Sequence, residues 1–113
     1  MPIEVVELDI GVTKVVLTGR IDIAGAQAID MPMNIIGGSR RAVVIDLAGV
    51  EFMASMGLRS VVMCARSVQS KRGKVVLLAP RPEVLEVIQV SGVDELIPVF
   101  ASEAEALAAV FAG

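Results

Sequence analysis

Histidine, tryptophan and tyrosine are absent from this 113-residue chain, and cysteine occurs once. Without histidine there is no Ser-His or Cys-His nucleophile pair, and most transition-metal sites lose their commonest ligand. The single cysteine, Cys64, excludes an internal disulfide and fits a reducing compartment, so the expected location is the cytoplasm. Three phenylalanines are the only aromatics, too few for a base-stacking platform, and a net charge of −3 argues against a nucleic-acid-binding surface. Long apolar runs are missing as well. The longest uncharged stretch, Met31 to Ser39, is too short to cross a bilayer and holds Pro32, Gly37 and Gly38, so no insertion into a membrane is expected. The start Met1-Pro2-Ile3-Glu4 has neither the basic opening nor the apolar core of a secretory signal. Carboxylates paired at a catalytic spacing and a glycine-rich nucleotide loop are also lacking. The expectation is a protein that is not an enzyme, with no cofactor and no metal.

What is present is a strongly hydrophobic chain, 55% apolar, of a length that suits one domain over residues 1–113 and buries roughly two-thirds of its unfolded surface. Ile3–Leu8 and Thr13–Thr18 read as two strands around the turn Asp9-Ile10-Gly11-Val12. Gly19-Arg20-Ile21-Asp22 reads as a loop into a helix over about Ile23–Ile36. On that helix Gln27, Asp30 and Asn34 form one narrow polar stripe, and Pro32 is expected to kink or split it. The apolar surface around Met31, Met33, Ile35 and Ile36 is either core or a patch for a partner. Gly37-Gly38-Ser39-Arg40-Arg41 reads as a turn; because it precedes a strand, it has the wrong context for a phosphate loop.

Ala42–Asp46 is an apolar, β-branched run that suits a buried strand. From Leu58 onward Val61, Val62, Ala65 and Val68 recur at helical spacing, which predicts a helix over Ser55–Lys71 with Arg59, Met63, Arg66 and Ser70 facing outward. The loop between them would sit at the carboxyl edge of a sheet, where open α/β folds keep their working surface. Ser55 would stand at the first turn of the helix, either as a plain cap or as the acceptor of a phosphate that the free amides could hold. Lys74–Ala79 follows as a buried strand, then a helix over Pro82–Val90, a short edge strand Ile97–Phe100 containing Pro98, and a last helix opened by the capping box Ser102–Glu105. Asp22 is either a partner-facing carboxylate or a helix cap, Asp46 a turn-forming carboxylate, and Cys64 a small buried hydrophobe. The architecture implied is α/β: an initial hairpin, then alternating strands and helices, with a mostly parallel sheet of about five strands and about four helices.

Read together, these segments resemble a STAS domain of the anti-sigma factor antagonist type. The matching residues are Gly19-Arg20-Ile21-Asp22, Val44-Ile45-Asp46-Leu47, Val50 through Leu58, Lys71-Arg72-Gly73-Lys74 and Val90-Ser91-Gly92-Val93. In that family the loop before the second helix typically reads Met-Asp-Ser-Ser/Thr-Gly-Leu, and the first Ser is the phosphoacceptor. Met53, Ser55, Gly57 and Leu58 match; Ala54 replaces the Asp, and Met56 replaces the second hydroxyl, leaving Ser55 the only acceptor there.

The resemblance implies partner switching controlled by phosphorylation of Ser55. The partners would be an anti-sigma factor that is itself a serine kinase, and a PP2C-type phosphatase. The implied docking surface is Arg20, Asp22, Ile23, Met53, Ala54, Met56, Gly57, Arg59 and Met63, and a homodimer is left open. The alternative is an unphosphorylated STAS subunit of a membrane transport assembly of the lipid ABC transporter type.

Overall fold

The apolar runs Val43–Ile45 and Val75–Leu78 become the middle of a five-stranded sheet in the computed structural model, which describes residues 2–8 and 10–111. The strands are β1 (Ile3–Glu7), β2 (Thr13–Ile21), β3 (Ala42–Met53), β4 (Lys74–Leu78) and β5 (Val99–Phe100), in that order across the sheet. β1 is antiparallel to β2, and every other pair is parallel. The β1–β2 turn closes through Gly11 N–H to Leu8 C=O (3.1 Å) and Leu8 N–H to Val12 C=O (2.8 Å); Asp9, expected in that turn, lies outside the described residues.

Successive residues of a strand point to opposite faces, so each apolar run feeds two cores. Val15, Leu17, Val43, Ile45, Val75 and Leu77 pack beneath α1 (Ile23–Ser39), α2 (Ser55–Ser70) and α3 (Pro82–Val90). Val12, Val44, Val76 and Leu78 pack on the other face against Ala106 and Val110 of the last helix. Between α3 and β5 a single turn, α4 (Val93–Leu96), was not foreseen in the sequence, and the last helix is α5 (Glu103–Phe111). Among the described residues this makes five helices rather than about four, and none is long and apolar enough to cross a membrane.

Several boundaries differ from expectation for identifiable reasons. Gly19-Arg20-Ile21 and Leu47–Met53 are strand and not loop, because β2 and β3 continue side by side to the pairing Ile21–Met53. Two register shifts along β3 take up its extra residues, and at the first of them the Asp46 carboxylate accepts the Ala48 amide at 2.9 Å. Asp46 also faces Lys14 at 3.6 Å. α1 runs unbroken through Pro32; the carbonyl that the proline leaves without a donor belongs to Ala28, an exposed residue that water can reach.

Gly37, Gly38 and Ser39 extend α1 instead of forming a turn. Gly37 is buried where the helix crosses α2, and a Cβ there would lie 3.1 Å from Ser67 Cβ and 3.2 Å from Cys64 Cα. At the end of α2 the left-handed residue is Arg72 (φ 64), whereas Gly73 is needed for space. β5 contains only Val99 and Phe100.

Two measurements follow from this packing. A Cβ at Gly73 would meet the Arg41 carbonyl oxygen at 2.5 Å, while one at Gly38, in the last turn of α1, meets nothing within 4 Å. Gly73→Ala is therefore expected to lower stability by about 1–3 kcal/mol, and Gly38→Ala to raise it by about 0.5–1 kcal/mol, read from urea midpoints at unchanged slope. Burial pushes the Cys64 thiol up to about 11 from its usual 9.0, against a weaker opposing pull from Lys71. The unfolded chain thus loses this proton first, so stability should decline as pH rises from about 9 to about 11. In the folded protein at neutral pH the thiol should react with a disulfide reagent far more slowly than in urea.

Candidate partner-docking site

The ends of β2 and β3 set two helix starts side by side. Ile21 and Met53 are the last paired residues, and the Ala54 amide donates to the Ile21 carbonyl at 2.8 Å just beyond them. Asp22 caps α1, its Oδ1 accepting the Gly25 amide at 3.0 Å, so of the two readings left open for this carboxylate the structure shows the cap. α2 starts differently. Ala54 has the extended backbone of a cap (φ −79°, ψ 163°) but no side-chain acceptor, so among the described residues no side chain caps this end of α2.

Ser55 is the first residue inside α2 and not its cap, and it is exposed. Gly57 is buried: a Cβ would come 2.4 Å from Ile21 Cγ2 and 2.9 Å from Met53 Sδ. The close seating of this turn on Ile21 and Met53 leaves room for glycine alone. That seating holds the Ser55 backbone against the tip of the sheet.

The residues expected on a docking surface therefore separate into three groups. Ser55, Met56, Arg59 and Met63 are exposed along one side of α2, and Ile23, 67% exposed, faces them from the start of α1. Met53 and Gly57 are buried and support this face from beneath; Asp22 and Ala54 are half-buried at the two helix starts. Arg20 is not gathered into it. The pleat turns Arg20 to the side of the sheet opposite Ile21, and its guanidinium lies 4.7 Å from the centre of the Phe52 ring.

Between α1 and α2 the exposed face dips into a cleft of about 430 Å³, with Gln27, Asp30 and Asn34 on one wall and Met56, Arg59 and Met63 on the other. Its floor is tied by Ser60, which is buried and donates to Asp30 Oδ1 at 3.0 Å. The polar stripe on the first helix was legible as periodicity. Its hydrogen bond to Ser60 and its place across the cleft from Arg59 were not, because nothing local says which helix lies beside it. Among the described residues no group of three His, Cys, Asp or Glu could hold a metal ion.

Comparison with known proteins places this geometry. The STAS domain pattern matches residues 5–106. BtrV of Bordetella bronchiseptica, described as an anti-sigma factor antagonist, is 35% identical over 97 residues, 84% of this chain and 82% of that protein. The crystal structure of an anti-sigma factor antagonist from Mycobacterium paratuberculosis is 30% identical, with a TM-score of 0.85 over 96% of this chain and 92% of that one. SpoIIAA from Bacillus in its phosphorylated form superposes with a TM-score of 0.74 over 96% and 98% of the two chains; at 23% identity that likeness is one of fold.

The uncapped start of α2 generates a test of its own. Ala54→Asp should place a carboxylate acceptor over the free amides and stabilise the protein by about 1 kcal/mol, whereas Asp22→Ala should cost about the same at α1. Both are read as shifts of the urea midpoint.

Proposed function

The chain belongs to the STAS domain family, and on that premise we propose that it is an anti-sigma factor antagonist, a binding module without catalysis that works by partner switching under control of Ser55 phosphorylation. One observation carries the reading: Ser55 stands exposed at the uncapped start of a long helix, flush with a face formed by Met56, Arg59, Met63 and Ile23. The relatives BtrV and the Mycobacterium paratuberculosis protein, both described as anti-sigma factor antagonists, support it.

In this reading the unphosphorylated face docks an anti-sigma factor in the cytoplasm. Met56 and Met63 supply adaptable apolar contact, and Arg59 supplies directed hydrogen bonds. The bound anti-sigma factor, itself a serine kinase, transfers the γ-phosphoryl group of ATP to Ser55 Oγ, with loss of the hydroxyl proton and release of ADP. The product carries about −1.5 to −2 charges at neutral pH, which the free amides and the helix dipole of α2 accommodate without unfolding. With Ala54 as the cap residue, no side chain competes for those amides. What changes is the face: bulk and charge in its middle exclude the partner, and a PP2C-type phosphatase restores the hydroxyl.

Incubation with an anti-sigma factor kinase of the same organism and ATP should add one phosphoryl group, and Ser55→Ala should abolish the gain. Ser55→Glu and Met56→Asp should each weaken binding of the unphosphorylated protein to that kinase by tenfold or more in calorimetry, about 1.4 kcal/mol. Full binding by Ser55→Glu together with absence of phosphorylation would overturn the reading.

A further inference from the structure

α2 carries two arginines and no acid. Arg59 and Arg66 are its only charged residues, both are exposed, and among the described residues neither makes an ion pair. The chain as a whole has 13 acidic residues against 10 basic ones, so this helix reverses the balance locally. Arg59 and Arg66 are two turns apart, which sets them on the same side of the helix at a spacing of about 10 Å.

That side faces α3 across a groove of about 440 Å³. Leu58, Val62, Val87 and Val93 give the groove an apolar lining, Arg59 and Arg66 stand in its α2 wall, and Ser55 lies at the end where α2 begins. No carboxylate lines it. Acidic side chains share other hollows with these arginines: Asp30 lines the α1–α2 cleft with Arg59, and Glu95 lines a neighbouring hollow with Arg66. Neither of these pairs closes to an ion pair.

We propose that the α2–α3 groove receives an acidic, amphipathic segment of the protein partner. Its apolar side chains would cover Leu58, Val62 and Val87, and two of its carboxylates, about 10 Å apart, would pair with Arg59 and Arg66. The proposal rests on the partner-switching reading of Ser55 and adds to it the chemistry of the partner.

Charge complementarity carries the choice of occupant. An apolar lining alone accepts any apolar face; two arginines along it, with no acid in the groove to answer them, select a face that brings negative charge. Nucleic acid and anionic membranes are negative too. A chain of net charge −3 disfavours such extended polyanions, and an apolar lining offers their phosphates nothing.

This chemistry also gives the switch its sign. Ser55 and Arg59 are one turn apart in the same groove, and an anion placed four residues before a cation is the favourable order on a helix. A phosphate on Ser55 draws the Arg59 guanidinium toward it and sets about −1.5 to −2 charges beside the partner's carboxylate. The partner loses a counter-charge and meets a repulsion in the same step.

Calorimetry of the unphosphorylated protein with the anti-sigma factor kinase of the same organism tests this. Arg66→Glu, at a position that switching at Ser55 does not by itself require, should weaken binding about tenfold or more, and Arg66→Lys should retain most of the affinity. Lys74→Glu alters the net charge equally but lies outside the groove, and it should bind as the unaltered protein does. Unchanged urea midpoints are the control for folding. Because Ser55 and Arg59 are linked, Ser55→Glu should cost less affinity in Arg59→Met than in the unaltered protein. Equal binding by Arg66→Glu and the unaltered protein, or equal losses in Arg66→Glu and Lys74→Glu, would overturn the groove and leave partner switching standing. Strictly additive losses for Ser55→Glu and Arg59→Met would overturn the link between them. A kinase that does not bind the unaltered protein at all would overturn the switching reading itself, and this proposal with it.

Discussion

The parallel pairing of β2 with β3, ending in the hydrogen bond from the Ala54 amide to the Ile21 carbonyl, is the constraint from which this surface takes its shape. It closes the parallel ladder of β2 and β3 at the point where both strands give way to helices. Gly57 seats the first turn of α2 directly on Ile21 and Met53, so the same two residues serve as the end of the sheet and the base of the turn. The position of Ser55 is consequently fixed by strand pairing and core packing. In the proposed function this matters, because charge gained or lost at a residue held this way changes the surface and not the fold.

The two helix starts show how one backbone plan can be put to different uses. Asp22 closes the amide end of α1 with its own carboxylate, and that end is finished. Ala54 leaves the end of α2 open, next to an exposed hydroxyl. Electrostatics rather than shape separates the two. The macrodipole and the free amides favour added negative charge at α2, while at α1 that demand is already met.

α1 divides its circumference into three parts. Ile29, Met33 and Ile36 enter the core; Gln27, Asp30 and Asn34 line the cleft toward α2; Ala24, Ala28, Met31 and Ile35 look outward. The apolar excess of this helix is thus more than the core consumes. Its tolerance of Pro32 and of two consecutive glycines follows from where each falls: the proline deprives an exposed carbonyl, Gly37 admits α2 closely, and Gly38 lies in open space.

Already legible in the chain were the strand-and-helix alternation, the buried strands at Val43 and Val76, the exposed side of α2 and the placement of Ser55 at its start. Each of these is written in local periodicity or in a residue's own backbone preference. Legible only in three dimensions were the run of β3 on to Met53, the helical state of Gly37, the burial of Met53 and Gly57 beneath the exposed side of α2, and the turn of Arg20 away from it onto Phe52. Those outcomes depend on which neighbour pairs or packs at a given residue. A strand continues when its partner does, and a glycine stays in a helix when another helix presses against it. Such contacts join residues far apart in the chain, and no window of adjacent residues records them.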